Sequence, residues 1–316
     1  MEKASVLVTG GSGFVGRRLV DRLVNRAGSL KSTLSVVVAG RKAPTAAGPV
    51  AHEMLDLNDR ASIDRALASS KPDVIVHLAA QSSVGVAIGA GALTWSANLG
   101  GSLNLAQSIA EHLPEATLLY ASSAEVYGRA FNDGVATEGT VPDPQSAYSR
   151  SKFAAEQMFS DVLPDTAKLI VVRPSNHSGR GQDARFVLPS FASQILAGQS
   201  EIHVGNLAAQ RDFLHVDDVI DAYIALITGA DKLAARSVYN IASGQVVTIG
   251  SLLDRLIALS GAKASVVVDP ARLRPVEIPV TQLDASLLRR AVGWAPTRSI
   301  DTMLQEILDS TPPERG

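Results

Sequence analysis

Of the 316 residues, 46% are hydrophobic and 19% charged, the balance of a chain that folds around a substantial core, as one large domain or two unequal ones. A formal charge of −2 offers nothing to a polyanion or an anionic bilayer, so neither nucleic acid nor a membrane is expected as a partner. The absence of cysteine excludes disulfides, thiolate metal sites and cysteine nucleophiles, and no apolar run is long enough to span a bilayer or reads as a signal peptide, so a soluble cytoplasmic protein is expected.

Short apolar runs rich in valine, isoleucine and leucine recur at 4–9, 34–39, 73–78, 116–121 and 169–173 and predict strands. Their nearly unbroken apolar character suits a parallel sheet buried on both faces. Helical patterns lie between them at 15–26, 60–69, 97–112 and 147–162. This alternation predicts an α/β fold, a Rossmann-type doubly wound parallel sheet with right-handed crossovers. Beyond residue 174 glycines and prolines break the rhythm, and helical patterns continue at 185–197, 216–228, 249–260 and 299–309. We therefore expect a dinucleotide-binding domain over 1–174 and a smaller substrate-binding α/β domain over 175–316, with some later segments returning to the first sheet.

The first predicted strand runs straight into Gly10, Gly13 and Gly16, spaced G-x-x-G-x-x-G, and then into an amphipathic helix through Phe14 and Val15. Small residues at such a turn let a pyrophosphate approach the backbone, where the helix N-terminus offers free N–H groups and partial positive charge. An enzyme that reads a free ribose 2′-hydroxyl places a carboxylate about 20 residues past the glycines. Here no acidic residue occurs from Arg22 to His52, and the second strand ends in Gly40-Arg41-Lys42. Arg41 is positioned to fork onto a 2′-phosphate, favouring NADP(H) over NAD(H), although a solvated basic loop would have the same composition. Further along, Asp56-Leu57 is placed near the adenine, and Leu78, Ala79 and Ala80 beside the adenosine half.

Tyr148 and Lys152 stand four apart on a predicted helix, hence on one face. An ammonium near a phenol favours the phenolate, and the spacing predicts a lowered Tyr148 pKa suited to proton transfer. Ser123 follows the predicted strand 116–121, where a parallel sheet delivers it to the carboxyl edge beside a nicotinamide. The predicted roles follow: Tyr148 protonates the nascent alkoxide, Ser123 orients the oxygen, and Lys152 holds the cofactor ribose and polarises Tyr148. His77, His177, His203 and His215 lack metal-ligand spacing, so no metal is expected; His77 reads as a satisfied core histidine and His177 as a possible substrate contact.

These motifs, together with Asn98-Leu-Gly-Gly-Ser-Leu-Asn104, Ser122-Ser-Ala-Glu-Val-Tyr-Gly128 and Arg173-Pro174, resemble the extended short-chain dehydrogenases/reductases along essentially the whole chain. The resemblance implies a Rossmann-type cofactor domain that includes Asn98, a C-terminal nucleotide-sugar domain and a homodimer packed through two helices per subunit. Within that family the second half is most similar to the GDP-4-keto-6-deoxymannose reductases and their relatives the GDP-mannose 4,6-dehydratases. The similarity is carried by Arg173-Pro-Ser-Asn-His-Ser-Gly-Arg-Gly-Gln182, Val204-Gly-Asn-Leu207, Arg211-Asp-Phe213, Asp269-Pro-Ala-Arg-Leu-Arg-Pro-Val-Glu-Ile-Pro279 and Gly293-Trp294. It implies that Asn176, Arg211 and Arg274 address a sugar-nucleotide diphosphate and that Glu277 takes the nucleotide ribose. Equally open on the residues alone are an internal Arg211–Asp212 ion pair and an exposed basic loop at Arg272 and Arg274.

The relatives that dehydrate carry Thr-Asp-Glu or Thr-Ser-Glu where this chain has Ser123-Ala124-Glu125, and alanine can neither donate nor accept a proton. NADPH-dependent reduction of a GDP-linked 4-keto-6-deoxyhexose, giving GDP-D-rhamnose or GDP-6-deoxy-D-talose, is therefore the expected activity. Glu125 keeps a 4,6-dehydratase open, as a C5 base or as a structural carboxylate, beside a 4-epimerase that recycles a tightly bound cofactor. A non-catalytic dinucleotide sensor is the third possibility, and the complete Ser123, Tyr148 and Lys152 set argues against it.

Overall fold

The computed structural model describes residues 3–29, 33–43, 50–82, 89–273 and 276–310. A seven-stranded sheet forms its larger half, built from β1 (Lys3–Thr9), β2 (Thr33–Gly40), β3 (Ala51–Met54), β4 (Val74–His77), β5 (Thr117–Ala121), β6 (Lys168–Pro174) and β10 (Arg236–Ile241). The strand order is β10-β6-β5-β4-β1-β2-β3 and every pairing is parallel. The order reverses between β1 and β4, so the crevice above their carboxyl ends is where ligands bind in such sheets.

Side-chain alternation sorts the core into two layers. Val6, Val8, Val36, Val38, Val74 and Val76 face Leu19 and Leu23 of α1 (Phe14–Ser29). They also face Val219 and Tyr223 of a helix from the second half of the chain, α7 (Val216–Thr228). Leu7, Val37, Ile75 and Leu118 point the other way, onto α2 (Arg60–Ser70), α4 (Gly101–His112) and α5 (Ala147–Val162). Each fully buried side chain of this kind stabilises the fold by about 1.5–3 kcal/mol relative to exposure.

The helix expected over 97–112 starts earlier, as α3 (Gly91–Trp95), and passes through a π-helical turn at Ser96–Gly100 before α4. The strand β3 went unpredicted: Ala-His-Glu-Met is half polar and lies at the sheet edge, exposed at both ends.

A second core packs α6 (Val187–Leu196), α8 (Ile249–Ser260) and α9 (Ile300–Leu308) around Leu188, Phe191, Leu252, Leu256 and Met303. Beside it, β9 (Gln210–His215) pairs with β7 (Asn176–Ser178), β11 (Val246–Thr248) and β13 (Val280–Thr281). A separate pair joins β8 (Glu201–Val204) to β12 (Ser265–Val268). Among the described residues no helix is long and apolar enough to cross a membrane.

Candidate active site

At the end of β1 the chain turns through Gly10, whose φ of 71° lies in the left-handed region that favours glycine. A Cβ there would stand 2.7 Å from the Ala79 nitrogen, and one on Gly16 would stand 2.1 Å from the Gly10 carbonyl oxygen. The turn closes with Gly13 N–H donating to that carbonyl at 3.0 Å. What results is a bare shelf at the N-terminus of α1, whose first turn carries no acidic residue. That is the chemistry of an anion cradle, and a dinucleotide pyrophosphate fits it.

The wall beside the shelf rests on buried polar groups. Thr9 Oγ1 receives the Ala79 N–H at 3.3 Å and contacts His77 Nδ1 at 2.7 Å; His77 Nε2 meets Ser102 Oγ at 3.0 Å, and Ser102 donates to the Asn98 carbonyl at 2.6 Å. One neutral tautomer satisfies the whole chain, with Nε2–H donating and Nδ1 accepting. Burial, helped by the charge of Lys152, holds the His77 pKa down at about 3. Its role is the structural one expected. Asn98 uses its amide to bracket Gln81, accepting from the Gln81 N–H at 2.8 Å and donating to its carbonyl at 3.2 Å, and also donates to Ser151 Oγ at 3.0 Å. The π-helical turn is thus where a side chain reaches sideways to pin the cleft wall.

Across the cleft, α5 begins with a reciprocal cap. Ser146 Oγ accepts the Ser149 N–H and Ser149 Oγ takes the Ser146 N–H, each at 3.0 Å, which fixes Tyr148 in the first turn. Ser123 caps the short 3₁₀ turn Ala124–Val126, accepting from the Glu125 N–H at 3.2 Å, and its hydroxyl lies beside Tyr148, where it acts to lower the phenol pKa. Lys152 is buried, donates to the Ala121 carbonyl at 2.7 Å and lies over the Tyr120 ring.

The electrostatics differ from the sequence-based expectation. Burial pushes the Tyr148 phenol up to about 12, against the hydrogen bond from Ser123 and with a smaller push from the Glu125 carboxylate. Lys152 itself is brought down to about 7 by burial, opposed by Glu156. Its ammonium is directed at the Ala121 carbonyl, so the desolvation of the phenolate outweighs the attraction that the Tyr148–Lys152 spacing predicts. A phenol so placed is a firmly protonated donor at neutral pH.

The second half closes the cleft. Arg211 of β9 forms an ion pair with Glu277 and donates to the Gln210 and Pro279 carbonyls at 2.9 and 3.3 Å. Asp212 turns the other way and accepts from the Ser243 and Gly244 N–H groups and from the hydroxyls of Ser243 and Ser175. The alternative of an Arg211–Asp212 pair is therefore not what forms. His177 hydrogen-bonds the Ser175 carbonyl through Nδ1 at 2.9 Å, and burial lowers its pKa.

One continuous cleft of about 1780 Å³ joins these parts. Single small-molecule sites run to roughly 300–1,000 Å³, so this one has room for a dinucleotide and a second ligand. Gly10, Gly13, Phe14, Val15, Gly16, Arg41, Asp56, Leu57, Leu78, Ala79 and Ala80 line one end, with Ser123, Glu125 and Tyr148 in the middle and Asn176, Arg211 and Glu277 beyond. Asn98 and Lys152 are not among the lining residues and act from behind the wall; the Asp56 carboxylate is engaged by the Asn58 backbone at 3.0 Å. Arg274 lies outside the described residues. The linings at Gln81, Ser122 and Gln182 fall within the motifs above but had no role assigned to them, and nothing in the spacing marks Phe186. Among the described residues no group of three or more histidines or carboxylates could hold a metal ion.

The parallel sheet, the glycine shelf and the Ser123–Tyr148–Lys152 set define an extended short-chain dehydrogenase/reductase. The family model for GDP-mannose 4,6 dehydratase matches residues 7–307, and the chain belongs to that family. It is similar to GDP-6-deoxy-D-mannose reductase of Pseudomonas aeruginosa, with 34% identity over 96% of this chain and 95% of the relative. It is also similar to GDP-6-deoxy-D-talose 4-dehydrogenase of Aggregatibacter actinomycetemcomitans, 30% identical over 91% of both chains. Among solved structures, RMD from Pseudomonas aeruginosa complexed with NADPH superposes with a TM-score of 0.82 at 31% identity, covering 97% of this chain and 98% of that one.

Proposed function

We propose that this chain is an NADPH-dependent reductase of a nucleotide-linked 4-keto-6-deoxyhexose, with GDP-4-keto-6-deoxy-D-mannose as substrate and GDP-D-rhamnose or its 4-epimer as product. The observation that carries the reading is the convergence of Ser123 and a firmly protonated Tyr148 on the cleft that the glycine shelf opens. Support comes from the two GDP-6-deoxyhexose relatives and from the NADPH complex of the similar structure. Arg41, exposed at the carboxyl end of β2, supplies a cation for a 2′-phosphate.

When bound, the reduced nicotinamide supplies a hydride to C4 of the sugar. Tyr148 donates its phenolic proton to the carbonyl oxygen, so that C=O becomes CH–OH, and Ser123 hydrogen-bonds that oxygen and orients it. Lys152, in its charged form, stabilises the phenolate left behind. Arg211 and Asn176 face the diphosphate, and Glu277 holds Arg211 in place and accepts from ribose hydroxyls. Ala124 sits where a dehydratase needs a polar group to expel the C6 hydroxyl.

Glu125 favours the second reading, a 4,6-dehydratase or 4-epimerase with a recycled cofactor, because its carboxylate lines the cleft. Also consistent with it are dTDP-glucose 4,6-dehydratase of Neisseria gonorrhoeae, 30% identical, and the UDP-glucose 4-epimerase structure from Thermotoga maritima, with a TM-score of 0.84 at 25% identity. The proposed assembly is a cytoplasmic homodimer packed through two helices per subunit, and the proposed division is a cofactor domain over 1–174 and a sugar-nucleotide domain over 175–316.

The deciding experiment incubates GDP-, UDP- and dTDP-4-keto-6-deoxy sugars with NADPH or NADH and follows absorbance of the reduced nicotinamide. Stoichiometric NADPH loss with the GDP sugar is expected; turnover without net oxidation would overturn the reductase reading. Tyr148→Phe is expected to lower kcat by about 10²–10⁴-fold while leaving NADPH affinity in place.

A further inference from the structure

Behind the proton-transfer site lies a buried ion pair that the mechanism above does not use. Glu156, one turn after Lys152 on α5, receives Arg173 of β6 through two bonds, Nη2 to Oε2 at 2.5 Å and Nε to Oε1 at 3.1 Å. Both side chains are almost fully buried, at 3% and 6% exposure. The same carboxylate accepts the hydroxyl of Ser122, the first residue after β5. Arg173 is held from its far side by Tyr127, whose hydroxyl it meets at 3.0 Å and whose ring it covers.

The place where Ser122 is held matters. Immediately before it stands Ala121, whose carbonyl receives Lys152, and immediately after it stands Ser123, whose hydroxyl lies beside Tyr148 and acts to lower its pKa. Two of the three groups that set the proton donor therefore hang on one short stretch of backbone, and that stretch is clamped from beneath by one carboxylate.

We infer that Glu156 is a positioning residue for proton transfer: through Ser122 it fixes the end of β5, and with it Ser123 and the carbonyl that holds Lys152, while Arg173 keeps the carboxylate itself in place. The inference rests on the reductase reading for its kinetic test but not for its second one. Electrostatics act in the same direction, since Glu156 is the group that favours the charged form of Lys152 against burial. Facing Lys152 from the other elements are Tyr120 of β5 and His77 of β4, with Tyr148 on its own helix; Glu125 acts on Tyr148. None of these four is a carboxylate acting on Lys152; the carboxylate that does so is Glu156, on its own helix. Nothing else among these groups replaces its charge.

The test uses the full chain carrying Ser122→Ala, Ser122→Thr or Glu156→Gln. Ser122→Ala keeps the ion pair and cuts only its link to β5. We expect kcat to fall by about 10–100-fold, with KM for sugar and NADPH within about twofold of wild type, because a small misplacement of reacting groups costs rate rather than binding. Ser122→Thr, which restores the hydroxyl, is expected to recover most of the loss. An unchanged kcat in Ser122→Ala, or a loss that threonine does not rescue, overturns the inference. The second measurement is a lysine ¹³Cε NMR titration, with the Lys152 resonance identified by its absence in Lys152→Met. In Glu156→Gln the midpoint should fall by about one pH unit or more, because a favourable charge is lost and Arg173 remains; an unchanged midpoint overturns the electrostatic half. Should the wild type reduce none of the 4-keto sugars, the reductase reading fails by itself and the titration still decides on Glu156. Should Glu156→Gln not fold, the Ser122 pair decides.

Discussion

Lys152 makes the pH dependence of the reaction predictable. Burial brings its pKa from 10.5 to about 7, and the Tyr148 phenol is pushed from 10.0 up to about 12. Reduction needs the phenol protonated, a condition met at every pH below about 12. It also needs the lysine charged, to stabilise the phenolate that proton donation leaves. The sign follows: kcat/KM for reduction should be level below pH 7 and fall as pH rises through it. With a midpoint of about 7, roughly ten charged molecules stand to one neutral at pH 6, and roughly one to a hundred at pH 9. A neighbouring cation is worth about 1–3 pH units to a phenol, so the uncharged enzyme should level out on a floor about 10- to 1000-fold lower. The assay is initial-rate NADPH oxidation from pH 5.5 to 9.5 at subsaturating sugar, repeated with Lys152→Met, whose profile should lose the limb and sit near the floor throughout. A wild-type profile flat from pH 6 to 9, or a limb that persists in Lys152→Met, would refute the reasoning.

Three further outcomes follow from the same geometry. Arg41→Ala should weaken NADPH about 10–100-fold, the loss of a charge-assisted contact, while NADH affinity measured by nicotinamide fluorescence stays level. Gly16→Ala places a carbon 2.1 Å from the Gly10 carbonyl, so dinucleotide binding in the same titration should fall by at least about tenfold, together with a lower melting temperature. His77, held neutral with a pKa of about 3 against 6.5 unfolded, contributes stability that is fully present above pH 6.5 and is lost as pH falls towards 3. At pH 4.5 that loss is about 3 kcal/mol, and urea midpoints of His77→Asn should therefore depend less steeply on pH in this window than those of the wild type.

The large sheet was readable because its strands are buried on both faces and hence almost wholly apolar: Val6 to Val8 and Val36 to Val38 admit no other reading in a chain of this period. What periodicity could not reveal were elements made by polar side chains or by edges. Ala51–Met54 is a strand because β2 offers it a free edge, and the π-helical turn exists because Asn98 reaches across to Gln81. Gly10, Gly16, Ser123 and Tyr148 were found from spacing because each acts at a fixed offset from a strand end or along a helix face. Arg211 with Glu277 was beyond that reach, since 66 residues separate them and only the pairing of β13 with β9 brings them together. The misjudged quantity was the Tyr148 pKa. Spacing shows that a lysine is near, but not that its ammonium is turned to a backbone carbonyl or that the phenol is out of water.

That misjudgement bears on the direction of the chemistry. A phenol lowered towards neutrality would serve equally as acid or base, which is what an epimerase that oxidises and then reduces the same carbon requires. A phenol held near 12 is protonated in the resting enzyme and is no ready base, which is the state reduction starts from, and the neighbouring lysine near 7 can be charged to stabilise the phenolate that donation leaves. Ala124 points the same way, since alanine puts no proton donor or acceptor into the 3₁₀ turn next to Ser123. Glu125 stands alone against this. Its carboxylate raises the phenol pKa further and so helps to keep the phenol protonated, and it would act as a C5 base only in a substrate pose that brings C5 to it. Exchange of solvent deuterium into C5 of the sugar during turnover separates the two roles: none is expected of a 4-ketoreductase, and incorporation would assign Glu125 to proton abstraction.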